Sequence, residues 1–207
     1  AEAAGLRIGA SGGIATDNFM RTSDPDIYAV GDAAEYLYGI NGMRQRVPLA
    51  GIANKAGRVA GQHAATGAAR PCPAAWHTSI VRVFDEAAGL SGLSLRDARA
   101  EGWAADAVHI FSNHHASYFP GAKPIMVKLV FDNATRRVLG AQVIGEAGVD
   151  KRLDVITTLI HFRGTVDDLA ALDLAYAPPF GSAKDPLHMA AFAAQNHLDG
   201  LAPLMDP

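Results

Sequence analysis

The spacing of apolar positions changes character along the chain. In the first third, apolar residues come in short runs cut by Gly, Pro, Asn and Asp. Residues 27–30 (Ile27, Tyr28, Ala29, Val30) form one such run, between the Asp24-Pro25-Asp26 turn and Gly31-Asp32. Four apolar residues bounded by turn signals predict a buried strand. Short strands are also read at 6–8 and 14–16, on either side of Gly12-Gly13. Asn41-Gly42 between two candidate strands predicts a hairpin. After Pro48, apolar and small residues recur at helical spacing from Leu49 to Ala60, with the proline in a helix-start position.

Residues 67–75 hold Gly67, Pro71, Pro73 and several alanines, and a domain boundary is placed there. The pattern then becomes more regular. Strands are predicted at 79–84 and 108–111. A helix is predicted at 94–101, with Ser94 as N-cap and Gly102 as its stop. At 125–131, Ile125, Val127, Leu129 and Phe131 alternate with Met126, Lys128 and Val130, a half-buried strand. Asp132-Asn133 turns the chain, and 138–144 returns as the antiparallel partner. Residues 150–162 place Leu153, Ile156, Leu159 and Ile160 on one helical face. Thr165, with Asp168 three residues on, opens a second helix through a capping box. Strand, helix, three strands and two helices make an α+β fold, an antiparallel sheet with helices on one face.

Composition narrows the function classes. The chain has 207 residues, 49% hydrophobic and 19% charged, with a net charge of -3. That fits one large or two small globular domains. No basic excess points to nucleic acid. No apolar run approaches membrane-spanning length. A single cysteine, Cys72, excludes an internal disulfide framework and fits a reducing compartment. It sits between Pro71 and Pro73 and is read as an inert linker thiol, since no neighbour stabilises a thiolate. No secretory leader is read, so a cytoplasmic setting is expected. His109, His114 and His115 fall close together, but no carboxylate or Cys completes a metal-ligand spacing. They are read as ordinary strand and loop histidines, and no metal is expected.

The strongest chemical signal is Gly31-Asp32 at the end of an apolar run. An ionised carboxylate only accepts hydrogen bonds, and sheet ligands sit beyond the carboxyl ends of strands. Asp32 is therefore placed to hold a hydroxyl-bearing ligand. The stretch TSDPDIYAVGDA, residues 22–33, resembles the second flavin motif of the pyridine nucleotide-disulfide oxidoreductases. The resemblance implies that Asp32, flanked by Gly31 and Ala33, bonds a ribitol hydroxyl of FAD. It also implies that the helix start at Leu49, Ala50 and Gly51 faces the flavin's pyrimidine edge. Unpaired N–H groups and the helix dipole there favour negative charge. The family has an Asp near the position of Asp17, which is read here as a turn residue.

The second half carries three further motifs. AYAPPFGSAKDPLHMAAFAAQN, residues 175–196, resembles the ending of the coenzyme A-disulfide reductase branch and its NADH oxidase relatives. SYFPG at 117–121 and VDKRLD at 149–154 match two more motifs of that branch. The resemblance implies a dimerisation domain over 79–200 and a tail at 201–207. Before them it implies a linker at 71–78 and a strip of Rossmann-like α/β FAD-binding domain over 1–70. It further implies a homodimer in which Tyr118 and Tyr176 reach the partner's active site, beside a reactive thiol and the substrate sulfur. Phe180 and Lys184 are implied at the substrate, Lys184 as a point charge for a phosphate. Phe119 stands where the family often has another tyrosine. Lys151 and Arg152 are expected to pair locally with Asp150 or Asp154.

No G-x-G-x-x-G occurs in a strand-to-helix context, although dinucleotide sites normally show one. The chain is therefore expected to be the C-terminal part of a longer FAD- and NAD(P)H-dependent oxidoreductase, inactive alone. In such an enzyme a hydride passes from NAD(P)H to FAD, and electrons then reach a disulfide or a small acceptor such as oxygen. Three alternatives stand beside this: a dimerisation module without chemistry, part of an NADH oxidase, or part of a polysulfide or persulfide reductase.

Overall fold

A computed structural model describes residues 1–204, so the last three positions of the expected tail lie outside the described residues. The chain divides into two compact units, Ala1–His77 and Thr78–Pro207.

The first unit is built on one hairpin and one long helix. Strands β1 (Glu35–Leu37) and β2 (Arg44–Arg46) pair antiparallel, with Leu37 opposite Arg44. The predicted hairpin is present, but its loop is longer than two residues: the Tyr38 N–H donates to the Met43 carbonyl at 2.8 Å. Helix α1 (Ala50–Thr66) buries Ile52, Ala56 and Ala60 at helical spacing. They pack with Met20, Ala34, Tyr36 and Val47 in one cluster. Small residues on that face let the helix lie close to the chain beneath it. The stretch around Cys72 is pinned to this unit. The Cys72 N–H donates to Asn18 O and the Ala75 N–H to Leu37 O, both at 2.8 Å. Burial pushes the Cys72 thiol above its ordinary pKa, which disfavours the reactive thiolate.

Residues 27–30 correct the sequence expectation. They form no strand: Tyr28 makes a single antiparallel bridge with Arg21, and Ile27 and Val30 are exposed. A strand needs lateral partners to satisfy its N–H and C=O groups. Here Arg21 is the one that bridges to the run. Gly31–Ala33 then closes as a 3-10 turn.

The second unit holds a five-stranded antiparallel sheet. In chain order it contains β3 (Ser79–Val83), β4 (Glu86–Gly92), α2 (Leu95–Ala100), β5 (Ala105–Asn113), β6 (Pro124–Asp132), β7 (Val138–Gly145), α3 (Val149–His161), α4 (Val166–Ala171) and α5 (Pro186–Leu198). The strands lie in the order β3-β4-β7-β6-β5. Helix α3 covers β4 and β7, while α5 covers β5, β6 and α4. The core between them is Val127, Leu129, Phe131, Ala141 and Val143 against Leu153, Ile156 and Ile160. Strand β4, sequence EAAGLSG, is an addition to the predicted elements.

Both predicted caps form. The Ser94 hydroxyl accepts from the Asp97 N–H at 3.1 Å. At α4 the Thr165 hydroxyl accepts from the Asp168 N–H at 3.1 Å, and the Asp168 carboxylate accepts from the Thr165 N–H at 2.8 Å. Those bonds hold the Asp168 carboxyl below its ordinary pKa. Its contribution is therefore present above the unfolded carboxylate pKa and is lost as pH falls through the depressed value. Thr165→Ala should cost about 1 kcal/mol. Thermal unfolding at neutral pH checks it, and an unchanged midpoint would show that the box contributes nothing.

Candidate functional site

In the first unit, Gly31 has φ 82°, and its carbonyl and N–H both meet the Tyr36 hydroxyl, at 3.0 and 2.6 Å. This fixes the turn from beneath and leaves Asp32 on the outside. Asp32 is exposed, and among the described residues its carboxylate bonds to no partner. Its backbone carbonyl accepts from Arg46 Nε at 3.3 Å. Ala33 lines an open cleft of about 640 Å³ with Ile8, Ile14 and Arg46. Helix α1 packs against the same 3-10 turn. Its N-cap Leu49 supplies no side-chain hydrogen bond, so the first N–H groups of α1, at Ala50 and Gly51, have no side-chain cap. A Cβ added at Gly51 would meet nothing within 4 Å. An uncommitted carboxylate and an uncapped helix start on neighbouring elements fit a ligand with hydroxyls and an electron-rich edge. The donor set therefore suits FAD. Asp17 is occupied elsewhere: its Oδ1 accepts from the N–H groups of Phe19 and Arg21, as a turn residue does.

In the second unit the structure brings Tyr118 and Tyr176 together. Their hydroxyls lie 3.0 Å apart although the residues are 58 positions apart in sequence. Both are solvent-facing, with 74% and 47% of their surface exposed. The shared hydrogen bond raises the Tyr176 phenol above its ordinary pKa. Phe180, 73% exposed, follows Tyr176 in a tight turn closed by its own N–H to Ala177 O. Lys184 lines a cleft of about 520 Å³ with Tyr176, His188 and Phe192. It makes no ion pair among the described residues.

One buried ion pair stands behind these loops. Arg152, 1% exposed, donates from Nη2 to Asp185 Oδ2 at 2.7 Å and from Nε to Oδ1 at 3.3 Å. The same guanidinium donates to His114 O at 2.7 Å and to Gly148 O at 3.1 Å. Asp185 also caps α5, accepting from the Leu187 N–H at 3.0 Å. Gly148 has φ 72°, which favours glycine, and a Cβ there would lie 2.2 Å from Arg152 Nη1 and displace the guanidinium. This corrects the sequence expectation for Arg152. Its partner is not Asp150 or Asp154 beside it but Asp185, 33 residues away. Local spacing offered two carboxylates at the helix start, but the α3 face that carries Arg152 points inward. Asp185 is the N-cap of α5, with Pro186 at its first position. Lys151 forms no ion pair with either local carboxylate.

His109 lies in β5, and His114 and His115 lie in the bend that follows it. His115 is buried, with its Nδ1 3.0 Å from Ala116 O, and its ring lies 4.2 Å from that of His114. Among the described residues no three His, Cys, Asp or Glu groups are placed to share a metal ion. No helix among them is long and apolar enough to cross a membrane.

Comparison with known proteins now bears on the whole chain. Residues 78–187 match the dimerisation domain of the pyridine nucleotide-disulphide oxidoreductases, and residues 1–57 match the pyridine nucleotide-disulphide oxidoreductase family model. The chain is 40% identical over 183 residues to the NAD(P)H sulfur oxidoreductase (CoA-dependent) of Pyrococcus furiosus, covering 88% of this chain and 41% of that protein. It is 29% identical over 194 residues to the coenzyme A disulfide reductase of Staphylococcus aureus, covering 94% of this chain and 44% of that protein. The solved structure of an NAD-dependent persulfide reductase from A. fulgidus superposes with a TM-score of 0.92 at 42% identity, over 97% of this chain and 37% of that one. The chain thus spans less than half the length of these relatives. With one family model over most of the second unit and another over most of the first, the chain belongs to the pyridine nucleotide-disulphide oxidoreductase family.

Proposed function

We propose that this chain is the FAD-contacting and dimerisation part of an NAD(P)H-dependent flavoprotein disulfide reductase, acting on coenzyme A disulfide or a related persulfide. The observation that carries the reading is the hydroxyl pair of Tyr118 and Tyr176, 3.0 Å apart on the unit that matches the dimerisation domain. Two solvent-facing phenols sharing one hydrogen bond form a donor site for an incoming group, here a substrate sulfur in the partner subunit of a homodimer. A phenol whose pKa is raised stays protonated at neutral pH and remains a donor. Tyr176 therefore supplies a hydrogen bond or a proton to the departing thiolate, with Tyr118 orienting it. Phe180 gives the site an apolar wall, and Lys184 places a positive charge for a phosphate of the substrate.

In the first unit, the Asp32 carboxylate accepts from a ribityl hydroxyl, and the Ala50 and Gly51 N–H groups face the electron-rich edge of the ring. Bound FAD supplies the two-electron transfer between a nicotinamide and the acceptor. The single cysteine, Cys72, has its thiol pushed up by burial, which does not favour a redox role. We read the chain as inactive alone, and its single cysteine is in keeping with a reducing, cytoplasmic setting.

The test pairs the isolated chain with the full product of the gene that encodes it. The chain is expected to purify colourless and to leave NADH unoxidised. The full product is expected to show a flavin spectrum and to oxidise NADH with coenzyme A disulfide. Tyr176→Phe in it should lower turnover on the order of 10²-fold with the flavin spectrum unchanged. Stoichiometric FAD on the isolated chain, or full turnover by the Tyr176→Phe enzyme, would overturn the reading.

A further inference from the structure

An exposed hydroxyl pair cannot set its own geometry. Each phenol exchanges freely with water, so their bond adds little to the order of the loops that carry them. Tyr118 and Tyr176 nevertheless stand 3.0 Å apart on segments remote in sequence. Something buried must hold the two loops in register.

We propose that the buried Arg152–Asp185 ion pair is the positioning device of the Tyr118–Tyr176 site, locking the two tyrosine loops onto the N-terminus of α3. The proposal rests on the reading of that pair as a substrate-facing donor site. Arg152 touches every segment concerned. It bonds His114 O at the root of the Tyr118 loop, Gly148 O at the start of α3, and both carboxylate oxygens of Asp185 at the end of the Tyr176 loop. One further bond ties the loops directly: the Ala116 N–H donates to Gly181 O at 2.9 Å. Ala116 lies two residues before Tyr118, and Gly181 lies between Phe180 and Lys184. The motifs at 149–154 and 175–196 and the segment that leads into 117–121 therefore meet at one guanidinium.

The chemistry explains why the residue is arginine. A guanidinium has five donors in a planar fork and stays charged at any physiological pH. It can satisfy a bidentate carboxylate and two carbonyls at once. A lysine keeps the charge but has three donors around one point and cannot span the same acceptors. Stability alone would not require such a pair, because well-packed apolar residues often serve a buried position equally well. What the pair adds is a fixed link between two distant loops.

The experiment reads the distance between the two rings in the folded chain. Brief photo-oxidation should join Tyr118 to Tyr176 within one molecule, and peptide mass spectrometry locates the bond. Arg152→Lys and Asp185→Asn are compared with the unaltered chain, and Tyr118→Phe is the blank. Circular dichroism and a cooperative thermal transition establish that each variant is folded. The expected result is a folded Arg152→Lys chain whose intramolecular 118–176 product falls at least five-fold, with a smaller fall for Asp185→Asn. A folded Arg152→Lys chain with full cross-linking overturns the proposal. If neither variant folds, the pair is a determinant of folding alone, and the proposal is equally overturned. In the full gene product, the Arg152→Lys change should lower kcat for the disulfide and leave KM for NADH unmoved, which a general loss of structure would not do. Lost cross-linking with unchanged kcat would leave the positioning role standing and refute the reading of the tyrosines as catalytic.

Discussion

Asp185→Ala is expected to destabilise the second unit by roughly 3–5 kcal/mol, because it leaves the Arg152 guanidinium charged and buried without its counter-ion. The side chains of the pair are 1% and 4% exposed, so water cannot take the place of the missing carboxylate. The substitution also removes the acceptor that caps α5, a loss of about 1 kcal/mol by itself, though the two effects share one residue and do not simply add. Domains of this size are stable by about 5–15 kcal/mol, so a large fraction of the margin is at stake. For a chain of this length the midpoint should fall by on the order of 10 °C. Arg152→Met should cost a similar amount for a second reason: it strands the carbonyls of His114 and Gly148 as well as Asp185. An apolar double replacement, Arg152→Met with Asp185→Leu, should recover only part of the loss, since those carbonyls and the Leu187 N–H stay unsatisfied. Full recovery by the double variant would mean that the pair matters only as two opposed charges. A midpoint for Asp185→Ala within about 2 °C of the unaltered chain would contradict the account altogether.

Gly140→Ala is expected to be as damaging, with no charge involved. Gly140 is the third residue of β7, opposite Gly92 of β4 on one side and Val130 of β6 on the other. A Cβ at Gly140 would lie 2.2 Å from Leu93 O, 2.7 Å from Leu93 N and 2.9 Å from Ser91 O. All three are backbone atoms of β4 or of the residue that follows it, so no side chain can turn aside. Relief requires β4 and β7 to separate where Leu93 N–H donates to Leu139 O at 2.9 Å. Overpacking of a tight interior costs about 1–3 kcal/mol, and a displaced ladder adds to it, so roughly 3 kcal/mol or more is expected. Urea unfolding measures this directly. A midpoint equal to that of the unaltered chain would show that the two strands can part at little cost.

Much of this protein could be read from local pattern. The alternation at 125–131 places Ile125, Val127, Leu129 and Phe131 in the core, where all four are buried. The apolar face of 150–162 became α3, which packs on β4 and β7. Ser94 and Thr165 announced their helices because a cap acts over three residues, a range that sequence spacing expresses fully. The inert character of Cys72 was expected from a lack of charged neighbours in sequence; in the fold Arg44 and Lys55 do favour its thiolate, and burial outweighs them. Motifs at 22–33, 117–121, 149–154 and 175–196 carried the family likeness before any coordinates.

Other features depended on partners that lie far along the chain. Strand β4 consists largely of Ala, Gly and Ser, which have little strand preference of their own. It is a strand because β3 and β7 flank it; Gly92 lets β7 approach, and Gly89 leaves room for Leu153 of α3. The run at 27–30 has the better strand composition and yet forms none, because only a single bridge to Arg21 reaches it. Arg152 had two acidic neighbours in sequence and chose neither, because packing turned it inward toward Asp185. The contact between Tyr118 and Tyr176 is of the same kind. Sequence by itself determined periodicity, capping and motif, which are properties of a few consecutive residues. Tertiary structure alone decided which strand had neighbours, which charge was buried and which two phenols met, because each depends on chain segments that only folding brings together.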